Sequence, residues 1–256
     1  MTYNFHTHTK RCRHASGEME NYVLRAIENG IKYMGFSEHI SFQSPDGADA
    51  YFRLPKSQIQ EYLDEVNILK EKYKDKISIS LGFEMEYYPD SFEAMLKTAK
   101  DCNAEYLILG QHFFEEEYLN PLPTAKKTED EKALIKYVNL VTDAMKTGAF
   151  LYVAHPDIIN FEGDEQIYTR EMTKICEASK ELNIPLELNF LGIRCERKYP
   201  KMKFWEIAGK IKCPVTFGFD AHDEASAYDG ESLIKAKEIV AKYNLNYIGN
   251  PFKKGE

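Results

Sequence analysis

The stretch YNFHTHT, residues 3–9, holds the pattern that decides the fold of this chain. The apolar run Tyr3–Phe5 is typical of a short strand, and two histidines follow where that strand should end. His6 and His8 are two residues apart, so on an extended strand both side chains point to the same side and can reach one cation. Similar runs that end in an imidazole or a carboxylate recur in FSEHI, GFEME, GQHF, AHPD and FDAH. One structural position therefore repeats along the chain.

Short apolar runs alternate with amphipathic stretches from one end of the chain to the other. Each run is followed by apolar residues at helical spacing, which predicts a strand and then a helix. This alternation favours a parallel sheet with helices outside it, and only a closed sheet brings every strand end to one point. We therefore predict an α/β barrel related to the (β/α)₈ plan. The predicted strands lie at 3–5, 33–36, 77–83, 106–109, 151–153, 185–188 and 214–219.

Composition and charge narrow the classes of partner. The net charge of −8 argues against a nucleic-acid-binding protein, which needs a basic surface. The five cysteines are odd in number, and no pair has CxxC spacing, which predicts reduced thiols in the cytoplasm. No apolar run approaches the roughly 20 residues that cross a bilayer. We expect neither nucleic acid nor membrane as a partner, and the oligomeric state stays open.

The residue types at the strand ends indicate a polynuclear metal centre. Imidazoles suit zinc and iron, whereas carboxylates also accept manganese and can bridge two ions. Glu84 is the best bridging candidate, and Asp220 with His222 repeats the spacing of His6 with His8. Such a centre can produce hydroxide at neutral pH, because a bound ion lowers the pKa of water to about 7. The candidate ligands are His6, His8, His14, His39, Glu84, His112, His155, Asp220 and His222.

These motifs together resemble the PHP (polymerase and histidinol phosphatase) family. The matching strings are HTHT with His14 downstream, SEH, GFEMEY, GQHF, AHPD and GFDAH, in the family's order. The resemblance implies a distorted (β/α)₇ TIM-like barrel with parallel strands and outer helices, forming a single domain over residues 1–256. It also implies a trinuclear site that contains zinc, manganese or iron. By that analogy one ion is held by His6, His8, Glu84 and Asp220, a second by Glu84, His112 and His155, and a third by His14, His39 and His222.

Within the family, the length, the FRLP loop and the segment LELNFLGIR before KYP resemble the monofunctional histidinol-phosphate phosphatases. The implied reaction is hydrolysis of L-histidinol phosphate to L-histidinol and phosphate in histidine biosynthesis. A metal-bridging hydroxide, held by Glu84 and Asp220, would attack phosphorus. The alternatives are another PHP phosphoesterase, directed at phosphotyrosine or nucleotides, or a non-catalytic metal-binding PHP domain. One departure is that Asn189–Arg194 reads NFLGIR, where the family commonly has Asn-Thr-Ser-Gly-x-Arg.

Four further residues are candidates for contact with a small phosphomonoester. Arg194 is the first choice for the phosphate, because a guanidinium matches phosphate oxygens in pairs. Arg197 and Arg53 are alternatives, although either fits equally well as a solvated loop arginine. Glu115, directly after the GQHF string, is a candidate acceptor for the cationic end of the substrate, but it also fits a solvated acidic loop.

Overall fold

The computed structural model describes residues 1–252, which form two compact units. The first unit consists of Met1–Met85, Pro89–Ile108 and Gly218–Asp229. The second consists of Glu86–Tyr88, Leu109–Phe217 and the described residues from Gly230 onward. The single domain over residues 1–256 stays a prediction.

The hydrogen-bonded order of the strands follows the chain from β1 to β8. The paired strands β1–β2, β2–β3, β5–β6 and β7–β8 are parallel. This order, with helices between successive strands, confirms the predicted TIM-like α/β fold. All seven predicted strands are present, and β8 is an additional one that the sequence did not indicate. The strands are β1 Tyr3–Asn4, β2 Tyr33–His39, β3 Ser78–Met85, β4 Tyr106–Leu109, β5 Tyr152–Val153, β6 Leu186–Asn189, β7 Pro214–Gly218 and β8 Asn246–Tyr247.

The helices follow the apolar periodicity, except for one short helix after β6. In that helix, α6, the Asn189 side chain accepts a hydrogen bond from Gly192 N at 3.0 Å and so caps the first turn. Within residues 1–252, no helix is both long enough and apolar enough to cross a membrane. The helices are α1 Met19–Glu28, α2 Ile59–Tyr73, α3 Phe92–Asp101, α4 Glu131–Lys146, α5 Glu165–Leu182, α6 Phe190–Arg194, α7 Met202–Ile211 and α8 Gly230–Tyr243.

A tyrosine packed against two glycines organises the interior of the first unit. The side chain of Tyr106, on β4, lies so close to Gly35 of β2 and Gly82 of β3 that a Cβ on either glycine would be within 2.3 Å of one of its atoms. The Tyr106 hydroxyl donates a hydrogen bond to Phe5 O at 2.9 Å. Phe5 directly precedes His6, so this contact fixes the backbone where β1 ends.

The segment that follows β7 returns to the end of β1 in the first unit. His8 N donates to Ala221 O at 2.9 Å, and Ala221 N donates to His6 O at 3.2 Å. Thr7 and Ala221 form a parallel bridge between these hydrogen bonds. Asp220 and His222 flank Ala221, so the bridge sets them beside His6 and His8, which follow β1.

The second unit has its own buried polar anchor. Asp157, which is 1% exposed, accepts hydrogen bonds from Lys201 N at 2.6 Å and from the indole of Trp205 at 3.0 Å. These contacts tie the loop after β5 to the start of α7. Trp205 is fully buried.

Candidate metal centre

The candidate ligands of the first unit lie where strands β1, β2 and β3 end and just after β7. The parallel register of β2 and β3 pairs His39 with Glu84. Ile40 N donates to Glu84 O at 2.9 Å, so the two strands stay paired up to the ligand positions. This arrangement agrees with the expectation that the carboxyl ends of parallel strands carry the chemistry.

Three imidazoles and two carboxylates converge at this edge of the sheet. His6 Nε2 and His8 Nε2 are 3.2 Å apart. Glu84 Oε2 is 3.5 Å from His6 Nε2, 3.3 Å from His8 Nε2 and 3.2 Å from His39 Nδ1. Asp220 Oδ1 is 3.5 Å from the Nε2 atoms of both His6 and His8. All five side chains are buried, at 4% exposure or less.

These separations fit a shared divalent ion. Nitrogen and oxygen ligands lie about 2.0–2.2 Å from zinc, so two of them at a tetrahedral angle are roughly 3.3–3.6 Å apart. The separations of 3.2–3.5 Å in the structure agree with this range to within about 0.1 Å. Imidazole nitrogens with carboxylate oxygens also form a donor set that divalent zinc, iron and manganese accept. The residues therefore fit a divalent metal site.

A second group of imidazoles adjoins the first. The ligand atoms of His14, His39 and His222 all lie within 4.8 Å of one another. The ring of His8 stacks on the ring of His39 and on that of His222, with centroid separations of 4.4 Å and 4.3 Å. His222 Nδ1 is 3.2 Å from Asp220 Oδ1. The first unit thus brings seven of the nine predicted ligands together.

The charges of the buried groups are set by their neighbours. Burial alone would lower the pKa of His8, but hydrogen bonds and charges from Glu38, Glu84 and Asp220 outweigh it and raise that pKa to about 9. Burial would raise the pKa of Asp220, yet the imidazoles of His6, His222 and His8 hold it well below its usual range. A histidine must lose this extra proton before it binds a metal, so metal uptake releases protons.

The two remaining candidate ligands lie together in the second unit. The rings of His112 and His155 have centroids 4.9 Å apart. His112 Nδ1 is 2.7 Å from Glu86 Oε1, and Glu86 is fully buried, which favours a partner of the imidazole over a solvated loop carboxylate. His155 N donates to Glu187 Oε2 at 3.1 Å. Glu86 therefore orients the imidazole of His112, and Glu187 holds the backbone at His155.

Two candidate ligands have unusual backbone angles. His155 has φ +30° and Asp220 has φ +48°, both in the left-handed region. Such conformations cost on the order of 1–3 kcal/mol each and cluster at functional sites. Each lies two residues beyond the end of a strand. An extended backbone at that position would point the side chain in a different direction.

Cys12 lies beside this histidine cluster. Its sulfur is within 4.8 Å of ligand atoms of His8 and His222. The thiol donates to Thr9 O at 3.1 Å, and burial together with the charge of Glu38 raises its pKa. The thiol of Cys12 is therefore held against the backbone of its own turn.

The four candidate substrate contacts have different environments. Arg194 is partly exposed at the end of α6, and the exposed Arg197 donates to the Tyr199 hydroxyl at 3.3 Å. Arg53 is fully buried, with its guanidinium over two phenylalanine rings and a hydrogen bond to Ile40 O at 3.2 Å. Glu115 forms a surface ion pair with Lys136 at 2.5 Å, as a solvated acidic loop would. Their roles toward a substrate stay predictions.

Two buried carboxylates that were not among the predicted site residues contact the candidate histidine ligands. Glu38 is fully buried next to His8, and Glu187 is fully buried next to His155. Glu38 stands inside the string FSEHI, directly before a candidate ligand, so its position was visible in the sequence. Its contacts were not, because they cross from β2 to the end of β1.

Comparisons with known proteins agree with these observations. The sequence profile of the PHP domain matches residues 4–190. A histidinol-phosphatase of Lactococcus lactis is 26% identical over 268 aligned residues, covering 97% of this chain and 93% of that protein. A probable histidinol-phosphatase of Deinococcus radiodurans is 25% identical over 225 residues, covering 85% of each chain.

A solved structure shows the shared fold directly. The crystal structure of histidinol phosphate phosphatase from Lactococcus lactis, complexed with zinc, L-histidinol and phosphate, superposes with a TM-score of 0.72. The superposition covers 96% of this chain and 95% of that one at 20% identity. At this level of identity the likeness establishes the fold.

Proposed function

Because the chain belongs to the PHP domain family, we propose that it is a metal-dependent phosphomonoesterase that hydrolyses L-histidinol phosphate to L-histidinol and phosphate. The proposal is supported by similarity to a histidinol-phosphatase of Lactococcus lactis over 97% of the chain and to a probable histidinol-phosphatase of Deinococcus radiodurans over 85% of it. It is also supported by the shared fold with the Lactococcus enzyme, which was crystallised with zinc, L-histidinol and phosphate.

The observation that carries the proposal is the convergence of His6, His8, Glu84 and Asp220 at separations of 3.2–3.5 Å. Divalent ions bound by such groups lower the pKa of water toward neutrality and neutralise charge on phosphoryl oxygens. The buried carboxylates of Glu84 and Asp220 compensate the positive charge that such ions bring. Glu84, which also approaches His39, is placed to bridge two ligand groups.

The complete ligand set is part of the proposal. We assign one ion to His6, His8, Glu84 and Asp220, and a second to Glu84 with His112 and His155. His14, His39 and His222 take a third. Zinc, manganese and iron all match this combination of imidazole and carboxylate. The location of the protein in the cytoplasm stays a prediction from its cysteines.

Binding of the phosphate ester is assigned first to Arg194. A guanidinium donates two parallel hydrogen bonds to phosphate oxygens, and its charge stabilises the transition state as negative charge shifts among them. Arg194 closes the short helix α6, whose start is capped by Asn189, and Asn189 in turn donates to Glu187, the buried partner of His155. This chain of contacts connects the arginine with a candidate ligand of the same unit.

The experiment that tests the function compares substrates and metals. The purified protein is loaded with zinc, manganese or iron in turn, and phosphate release is measured from L-histidinol phosphate, phosphotyrosine and mononucleotides. We expect the highest kcat/KM with L-histidinol phosphate, loss of activity on chelation and its return with metal.

Three results would point elsewhere. Faster hydrolysis of phosphotyrosine or nucleotides would assign the chain to another PHP phosphoesterase. Metal binding without hydrolysis of any ester would favour a non-catalytic domain. Full activity in a metal-free preparation would refute the mechanism.

A further inference from the structure

We infer that Glu38 is a positioning residue of the metal centre, which holds the imidazole of His8 and the backbone at His39 in the arrangement that binds an ion. Glu38 lies on β2, is fully buried and is not among the candidate ligands. The inference rests on the metal centre of the proposed function, but not on the identity of the substrate.

Each oxygen of the Glu38 carboxylate already has a backbone partner. Oε1 accepts a hydrogen bond from His39 N at 2.9 Å, and Oε2 accepts one from Thr9 N at 2.9 Å. The Thr9 hydroxyl also donates to Oε2. The Glu38 side chain therefore fixes the backbone next to His8, in the segment after β1, and at His39, the last residue of β2.

The same carboxylate faces Nδ1 of His8, the imidazole nitrogen on the side away from the other candidate ligands. Glu38 Oε1 is 3.5 Å from Nδ1 of His8, whose Nε2 faces Glu84 and Asp220. An acceptor beside Nδ1 keeps the proton on that nitrogen and leaves the Nε2 lone pair for a metal. Carboxylates that orient a ligating histidine in this way change metal affinity when they are replaced.

Only a carboxylate satisfies this set of donors. In a Glu38→Gln variant, the amide NH₂ takes the place of one of the two oxygens. If it replaces Oε1 it meets the N–H of His39, and if it replaces Oε2 it meets the N–H of Thr9. Either orientation sets two donors against each other in a buried place and breaks a backbone hydrogen bond, which displaces His8 or His39.

The test compares Glu38→Gln with Glu171→Gln. Glu171 is a matched control, because it is also a buried glutamate, 2% exposed, but its partners are Arg170 and Lys174 on helix α5. Metal affinity is measured by competition with a chromophoric chelator for zinc, and the ligand geometry is followed by the visible absorption of the cobalt-loaded proteins. We expect Glu38→Gln to weaken binding of at least one ion about 10–100-fold and to alter the cobalt spectrum.

Glu171→Gln should bind zinc and cobalt like the wild type, even if its melting temperature falls. The inference is overturned if Glu38→Gln keeps the wild-type affinity and cobalt spectrum. If circular dichroism shows that Glu38→Gln does not fold, Thr9→Val replaces it. Thr9→Val removes the hydroxyl that donates to Glu38 and that also accepts a hydrogen bond from Arg11 N. A smaller change in the same readouts is expected, and an unchanged cobalt spectrum and affinity would overturn the inference.

The outcomes separate this inference from the proposed function. If the wild-type protein binds zinc but does not hydrolyse L-histidinol phosphate, the proposed reaction is ruled out and the role of Glu38 still stands. A wild-type protein that binds no divalent metal removes both.

Discussion

Tyr106 provides a quantitative test of how the first unit is packed. A Cβ added at Gly35 would lie 2.1 Å from the Tyr106 hydroxyl oxygen, 2.7 Å from Cζ and 2.8 Å from a ring carbon of Phe5. A Cβ added at Gly82 would lie 2.3 Å from Cε1 and from Cζ of the same ring. Alanine at either position therefore overpacks the interior, and we expect it to lower the free energy of unfolding by about 1–3 kcal/mol.

The two clashes differ in the atom that causes them. Tyr106→Phe removes the hydroxyl that crowds Gly35 but keeps the ring carbons that crowd Gly82. By itself this change loses the 2.9 Å hydrogen bond to Phe5 O, which costs about 1 kcal/mol. In the double variant with Gly35→Ala, the decrease in the free energy of unfolding should be smaller, by about 1 kcal/mol, than the sum of the decreases in the two single variants. With Gly82→Ala the losses should add to within about 0.5 kcal/mol.

Urea unfolding followed by far-ultraviolet circular dichroism measures all five variants. Each kcal/mol should also lower the melting temperature by about 2–4 °C in a chain of this size. The entropy that alanine removes from the unfolded chain is common to both glycine positions and cancels in the comparison. The packing of Tyr106 against the two glycines would be refuted if Tyr106→Phe recovered the same unfolding free energy in Gly35→Ala and in Gly82→Ala. It would also be refuted if Tyr106→Phe recovered none in either variant.

Two further predictions concern the metal centre and the phosphate. Arg194→Ala should raise KM for L-histidinol phosphate about tenfold while metal content stays at the wild-type level, and unchanged steady-state kinetics would remove this arginine from the site. Glu84→Gln should lower kcat/KM at least about 100-fold, or about 2.7 kcal/mol, and reduce the bound metal measured by elemental analysis. Its control is Glu105→Gln, at the start of β4, where the side chain contacts Lys70 and Leu81 N; similar losses in both variants would contradict the role of Glu84.

The elements that the sequence missed are short. Helix α6 spans five residues and β8 spans two, so neither is long enough to show a period. The run FLGIR that forms α6 is mostly apolar, and its helical conformation depends on the cap from Asn189. β8 forms because Pro214 and Val215 pair with it in parallel, a contact between segments about thirty residues apart.

The substrate-side predictions depended on contacts that a sequence does not display. Glu115 and Glu38 are both acidic residues close in the chain to a candidate ligand. The first pairs with Lys136 at the surface, whereas the second is buried and reaches His8 and Thr9. Nothing in the local sequence distinguishes the two, because the difference depends on the register between neighbouring strands.

The sequence by itself determined the order of strands and helices, the fold class and the residue types available for a metal centre. It could do so because strand and helix periods, and the spacing of His6 with His8, are local properties of the chain. Only the tertiary structure decided which atoms meet: the 3.2–3.5 Å separations among imidazoles and carboxylates, and the carboxylate behind His8. Those distances depend on the register of the strands and on the return of the segment after β7 to the end of β1. That return joins Thr7 to Ala221, which are more than two hundred positions apart.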